Sequence, residues 1–198
     1  MNFLAHLYLS KDLPEEMIIG NFIADAVKGK AAYAAFPAGI QKGMDFHREI
    51  DHYSDTHPAF RKGAARLYDN HGKFSGIILD IFYDHILAQH WENYHEISLP
   101  DFAASQYNLI ERNHHWLPEF TKYWFSVMKG DDLLSAYAFE EGIADVLHRM
   151  DQRLAMGSQM KTALKELNAY KASYIDEFHV LFKDMQQNLK DKFPGIWL

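Results

Sequence analysis

Three short segments put polar or ionisable residues four positions apart: Asn21 with Asp25, His47 with Asp51, and Asp80 with Asp84. On a helix that spacing brings both members to one face. Spacing alone carries little weight, because 16 aspartates and 12 histidines in 198 residues yield roughly four such Asp/His pairs by chance. The neighbours say more. Asn21 and Asp25 share their stripe with Ile18 and Phe22, His47 and Asp51 with Ile40 and Met44, and Asp80 and Asp84 with Ile77 and Ile81. Each pair is therefore expected to face inward. An ionised carboxylate buried without compensation costs several kcal/mol or more, so inward aspartates on three helices need partners. A shared cation accounts for all of them together.

His6, on a short apolar N-terminal helix, and His85, directly after Asp84, strengthen that reading. Taken singly, His6 reads as a hydrogen-bonded core histidine and Asp25 as a salt-bridged or helix C-terminal carboxylate. The set reads as a metal site, with His6, Asp25, His47, Asp51, Asp80 and Asp84 as candidate ligands. Nitrogen and carboxylate donors without thiolate suit manganese, iron, zinc or magnesium. Arg48 has two readings. It is either a surface ion-pair former with Asp45, Asp51 or Asp55, or, beside a metal, a planar fork for non-bridging phosphate oxygens. His90 and Trp91 read as helix packing, and His114 and His115, before Trp116 at a helix end, as capping or surface residues. The sequence contains no G-x-S-x-G elbow, Walker loop, dinucleotide G-x-G-x-x-G or H-E-x-x-H.

The elements that must position these residues are helices. Apolar residues recur at helical spacing almost throughout, with no convincing alternating run, which predicts an all-α fold. Proline and glycine punctuate it: helices are expected from Pro14 to about Lys28, from Pro37 to before Pro58, and from Pro58 to Gly72. Further helices should cover about Phe74 to His95, Pro100 to His115, Pro118 to Lys129, Asp132 to Arg153 (with an interruption near Gly142) and Met160 to Lys190. On the last, Leu164, Leu167, Tyr170, Tyr174, Phe178, Leu181 and Met185 form one apolar stripe, expected to pack in the core.

Composition bounds the rest. A length of 198 residues favours one domain over 1–198, a helical bundle, and 48% hydrophobic content can fill its core. Zero cysteines exclude disulfide scaffolds, thiolate metal sites and cysteine nucleophiles. The apolar start lacks a basic n-region and is not read as a signal peptide, and no apolar run is long enough for a membrane span, so a cytoplasmic protein is expected. A net charge of −7 argues against nucleic acid or anionic membrane as partner. Between Lys28 and Arg66, however, seven basic residues stand against four acidic ones, a region that could meet an acidic partner.

Four blocks carry a resemblance: N-F-L-A-H-L at the start, G-N-F-I-A-D at Gly20 to Asp25, H-R-E-I-D at His47 to Asp51, and L-D-I-F-Y-D-H-I-L-A-Q-H-W at Leu79 to Trp91. In order and approximate spacing they are similar to the acyl carrier protein phosphodiesterases, regarded as divergent relatives of the helical HD-domain phosphohydrolases. An adjacent His-Asp dipeptide is missing here; the nearest equivalent is the reversed Asp84-His85. The resemblance implies an HD-like fold, a divalent metal, manganese first with magnesium or iron as alternatives, and holo-acyl carrier protein as substrate. The implied reaction is hydrolysis of the phosphodiester joining 4′-phosphopantetheine to a serine. Arg48 would then offset phosphoryl charge, and His85 or His90 would protonate the departing serine. Two other readings stay open: an HD-like phosphohydrolase acting on a nucleotide or other small phosphodiester, and a non-catalytic helical module that binds carrier protein.

Overall fold

Proline and glycine set many helix boundaries close to where the sequence predicts them. The structure, a computed structural model, describes residues 1–153 and 159–196, and among these all regular structure is helical. Helix α1 covers Phe3–Ser10 and α2 covers Glu15–Ile23, entered from Pro14. A 3₁₀ turn at Ala24–Ala26 and Gly29, at φ 88, then reverse the chain into a short α3 (Lys30–Ala34). The long α4 (Ala38–Thr56) starts after Pro37, and α5 (Pro58–His71) starts on Pro58 with the His57 side chain capping the Ala59 N–H. Helix α6 (Ser75–Gln89) is buried on almost every side. It is followed by α7 (Leu99–Arg112), α8 (Glu119–Gly130), α9 (Leu133–Ala136), α10 (Glu140–Arg153), α11 (Leu164–Ala169) and α12 (Lys171–Lys192).

Four expected spans are shorter or divided, the first being Pro14 to Lys28, which ends at Ile23 and passes into the 3₁₀ turn at Ala24–Ala26. The Phe74 to His95 helix stops at Gln89, because His90 (φ −112, ψ 25) leaves the helical region. A 3₁₀ turn at Trp91–Asn93 follows, anchored by the buried Trp91 indole N–H donating to Ile97 O at 2.8 Å. The Met160 to Lys190 helix breaks at Tyr170 (φ −122, ψ 22), whose ring lies edge-on to Tyr174 and under the Arg66 guanidinium instead of in the core. Asp132 to Arg153 divides before Gly142, which lets α10 lie against α9: a Cβ at Gly142 would sit 2.1 Å from Ala136 O.

The buried apolar side chains form one contiguous cluster, with Phe82, Tyr83, Tyr137, Tyr174 and Phe178 among its largest members. The α12 stripe joins it through Tyr174, Phe178, Leu181 and Met185. Arg66 on α5 grips Glu177 on α12 through two bonds of 2.6 and 2.7 Å, a bidentate pair that fixes the orientation of both helices. No helix among the described residues is long and apolar enough to cross a membrane.

The pair that matters most for the site is α2 with α4. Gly20 and Gly43 let their backbones touch: a Cβ at Gly20 would lie 2.0 Å from Ile40 O, and one at Gly43 would lie 2.1 Å from Met17 O. Asn21 follows Gly20 directly and His47 stands one turn after Gly43, so the glycine contact sets the distance between these two polar side chains.

Candidate metal centre

Helices α1, α2 and α4 bring His6, Asn21, His47 and Asp51 into one cluster. The His6 and His47 rings stack at 4.1 Å, 28° from parallel, and both are buried. Asn21, fully buried, lies behind them. Its side-chain N–H₂ donates to His6 O at 2.7 Å and to Ser10 Oγ at 3.0 Å, while the Ser10 hydroxyl itself donates to His6 O. That arrangement fixes the amide: flipping it would face oxygen against a carbonyl. Asn21 Oδ1 therefore faces Nδ1 of His6 at 2.9 Å and Nδ1 of His47 at 3.2 Å, and as an acceptor it requires a proton on each.

With both Nδ1 atoms protonated, a neutral imidazole presents an unprotonated Nε2. These two atoms point at one carboxylate: His6 Nε2 lies 3.1 Å from Asp51 Oδ1, and His47 Nε2 lies 3.1 Å from Asp51 Oδ2. Among the described residues, His6, His47 and Asp51 are the one group of three such side chains whose ligand atoms all lie within 4.8 Å of one another. Asp25 approaches the same nitrogen, 3.6 Å from His47 Nε2, from the turn after α2. Its side chain is 84% exposed and that of Asp51 40%, so the cluster is dry on its imidazole side and open on its carboxylate side.

The electrostatics follow from that geometry. Burial pulls the His6 imidazole down, and the charge on the stacked His47 pulls it further, against the opposing effect of Asp51. Burial also disfavours charge on His47, but Asp25 and Asp51 outweigh it and raise the imidazole to about 9. Asp51 is pushed up by burial yet held well below the ordinary carboxylate range by the two histidines. Without a cation, the cluster thus holds a proton on His47 and leaves the bare Nε2 of His6 facing a carboxylate oxygen.

The other expected site residues lie elsewhere. Asp84, fully buried on α6, receives the backbone N–H groups of Leu4 (2.7 Å), Ala5 (3.2 Å) and Asn2 (3.3 Å), and so caps the N-terminus of α1 from a different helix. Burial raises its carboxyl to about 7, against the Met1 amino group and those three donors. Asp80 accepts from the Met1 amino group at 2.6 Å. Its stripe is only partly internal, since Ile77 is exposed while Ile81 is buried. His85 is fully buried, with Nδ1 2.6 Å from Tyr137 O, and His90 lies at the end of α6 with its ring 6.0 Å from that of His179. Arg48 is half exposed, donates to Asp45 at 2.9 Å and lies 5.0 Å from the Tyr33 ring centre.

Asn21 is the residue whose part the sequence reading did not anticipate; it entered there only as the partner of Asp25. The available signal was an amide on the apolar stripe of α2, directly after the close-packing Gly20. Asp25 itself lies beyond the end of α2, which is why it turns to solvent instead of sharing the face of Asn21.

A family profile described as acyl carrier protein phosphodiesterase matches residues 1–185. Curated relatives carry the same description: one from Pectobacterium atrosepticum is 30% identical over 92% of both chains. Another from Photorhabdus laumondii is 28% identical over 97% of this chain and 96% of its own. One from Escherichia coli O6:H1 is 27% identical over 97% and 99%. No solved structure matches. The profile runs through every helix that carries the cluster, and the chain belongs to the acyl carrier protein phosphodiesterase family, hydrolases that act on a phosphodiester.

Proposed function

We propose that the protein hydrolyses the phosphodiester joining 4′-phosphopantetheine to a serine of holo-acyl carrier protein, using a divalent metal held by His6, His47 and Asp51, with Asp25 as a further donor. Family membership supports the substrate. The observation that carries the metal is the donor set: two Nε2 atoms, left as the metal-facing nitrogens because Asn21 Oδ1 engages both Nδ1 atoms, meet a carboxylate within 4.8 Å, and a metal would take the place of the proton that His47 holds without one. Two buried imidazoles converging on carboxylates favour a cation between them, and imidazole with carboxylate suits manganese, iron or magnesium. Backing each ligating imidazole through its other nitrogen is the usual way a protein fixes ring orientation at such a site.

Bound there, a divalent cation would supply Lewis acidity toward the phosphoryl oxygens and the attacking water. The remaining work belongs to the chain. Asn21 holds both rings in one tautomer. Asp51 and Asp25 border the open side, where the phosphodiester must enter. Arg48, next to His47 in the chain, half exposed and held by Asp45 and the Tyr33 ring, would turn from these surface partners to the non-bridging oxygens. His85 and His90 have no contact with the cluster among the described residues. In this reading solvent on the Asp25 side delivers the proton to the departing serine, and the two histidines serve α6 packing. Asp80 and Asp84 act on the metal only indirectly, by anchoring α1 and hence His6.

The test is direct incubation of the protein with manganese and holo-carrier protein, and separately with nucleotide phosphodiesters, followed by mass spectrometry. Loss of phosphopantetheine from the carrier protein is the expected result. Turnover of the nucleotide substrates alone would overturn the assignment.

A further inference from the structure

We propose that the open groove between α3 and the turn at His114–Trp116 holds the pantetheine arm of the substrate, a site that rests on the phosphodiesterase reading above. The groove starts at Ala26 and Val27, the two residues that follow Asp25, whose carboxylate lies 3.6 Å from His47 Nε2. Its volume is about 440 Å³, within the range of small-ligand sites. Phe36 and Trp116 form its aromatic walls, their ring centres 6.4 Å apart and both half buried.

Its chemistry selects the occupant. No Asp, Glu, Lys or Arg side chain lines it, and His115 is its one ionisable lining residue. The arm is a neutral, amide-linked chain whose geminal dimethyl group stands next to the phosphate, so the apolar stretch adjoining the cluster meets the apolar part of the arm. A second groove of similar size carries Asp55, Arg61, Asp69 and Lys73 on its walls and suits an uncharged chain poorly. Lys28 and Lys30, exposed and without an ion-pair partner among the described residues, flank the start of the uncharged groove and favour the anionic end of the ligand. Gly29, at φ 88, takes the backbone into α3, whose Ala32 lines the groove.

The test fills the groove without emptying the core. Ala32 is exposed and lines it, and Ala32→Trp should occupy the path of the arm. Calorimetry on the manganese-loaded protein compares 4′-phosphopantetheine with inorganic phosphate. The wild type should bind phosphopantetheine at least about tenfold more tightly than phosphate, from burial of the arm's apolar surface. Ala32→Trp should abolish that difference while leaving the phosphate affinity within about twofold. Trp116→Ala should reduce it in the same direction. A wild type that shows no preference, or a preference that survives in Ala32→Trp, overturns the proposal. Because this readout is binding, a failure of hydrolysis would count against the parent activity and not against the groove.

Discussion

At the scale of single residues, the site turns on which atom of which ring carries a proton. Asn21 imposes the same tautomer on both histidines, so Asn21→Ala should weaken manganese binding about 10- to 100-fold, the usual effect of losing a group that backs a metal ligand. A metal titration that finds unchanged affinity would remove Asn21 from the account. The protonation of His47 gives a second prediction. Its folded-state value is raised to about 9 from the ordinary 6.5, so the metal-free protein gains stability from the charged imidazole below about pH 6.5. That gain is lost as pH rises through about 9. Metal competes with the same proton, so manganese affinity should rise over the interval in which metal-free stability falls. Melting curves from pH 6 to 10, with and without manganese, check both signs; parallel curves would contradict them. The sequence displayed His6, His47 and Asp51 as inward polar residues at helical spacing. It could not display which nitrogen each ring offers, because that depends on an amide brought in from another helix.

At the scale of elements, the site exists because α2 and α4 touch along glycine. Gly43→Ala would press a methyl group to 2.1 Å from Met17 O. It should destabilise the fold by about 2 kcal/mol or more and separate Asn21 from His47. Denaturant unfolding together with the metal titration measures both consequences. Asp84 supplies a contrasting case. Asp84→Ala leaves three N–H groups at the start of α1 without their carboxyl acceptor and should cost about 3 kcal/mol, with melting temperature as the readout. Manganese per folded molecule should stay at the wild-type level, whereas loss of metal from a still-folded variant would give Asp84 a direct part. The sequence argument that an inward carboxylate needs a partner holds for Asp84; the partner in the structure is a helix N-terminus. Periodicity reveals that a side chain turns inward, and only the tertiary packing of α1 on α6 reveals what it meets. The helix breaks at His90 and Tyr170 escaped the pattern for a related reason, since the Trp91 indole bond to Ile97 O and the Tyr170–Tyr174 ring contact that accompany them are tertiary features without a local sequence signal.

At the scale of the whole molecule, an acidic chain carries seven basic residues between Lys28 and Arg66, of which Lys62 and Arg66 are paired with Glu177. Lys28, Lys30 and Lys42 form no ion pair among the described residues and are free to meet an acidic protein. The KM for holo-carrier protein should therefore rise severalfold between about 50 and about 300 mM salt, while the rate on a small neutral-bodied phosphodiester changes little. Equal salt dependence for both substrates would argue against electrostatic docking. The all-helical class and many of the helix starts were legible from proline, glycine and apolar spacing, and the four sequence blocks fall on the helices that build and anchor the cluster. The groove beside Asp25 was not legible, because its walls come from segments about 80 residues apart that carry no shared pattern. The central claim, a metal-dependent phosphodiesterase built on His6, His47 and Asp51, is tested most directly by one paired measurement. Manganese content and release of 4′-phosphopantetheine from holo-carrier protein are measured on the wild type and on His47→Ala. The account predicts stoichiometric metal and turnover in the wild type and loss of both in the folded variant; retention of full metal and activity by His47→Ala would contradict it.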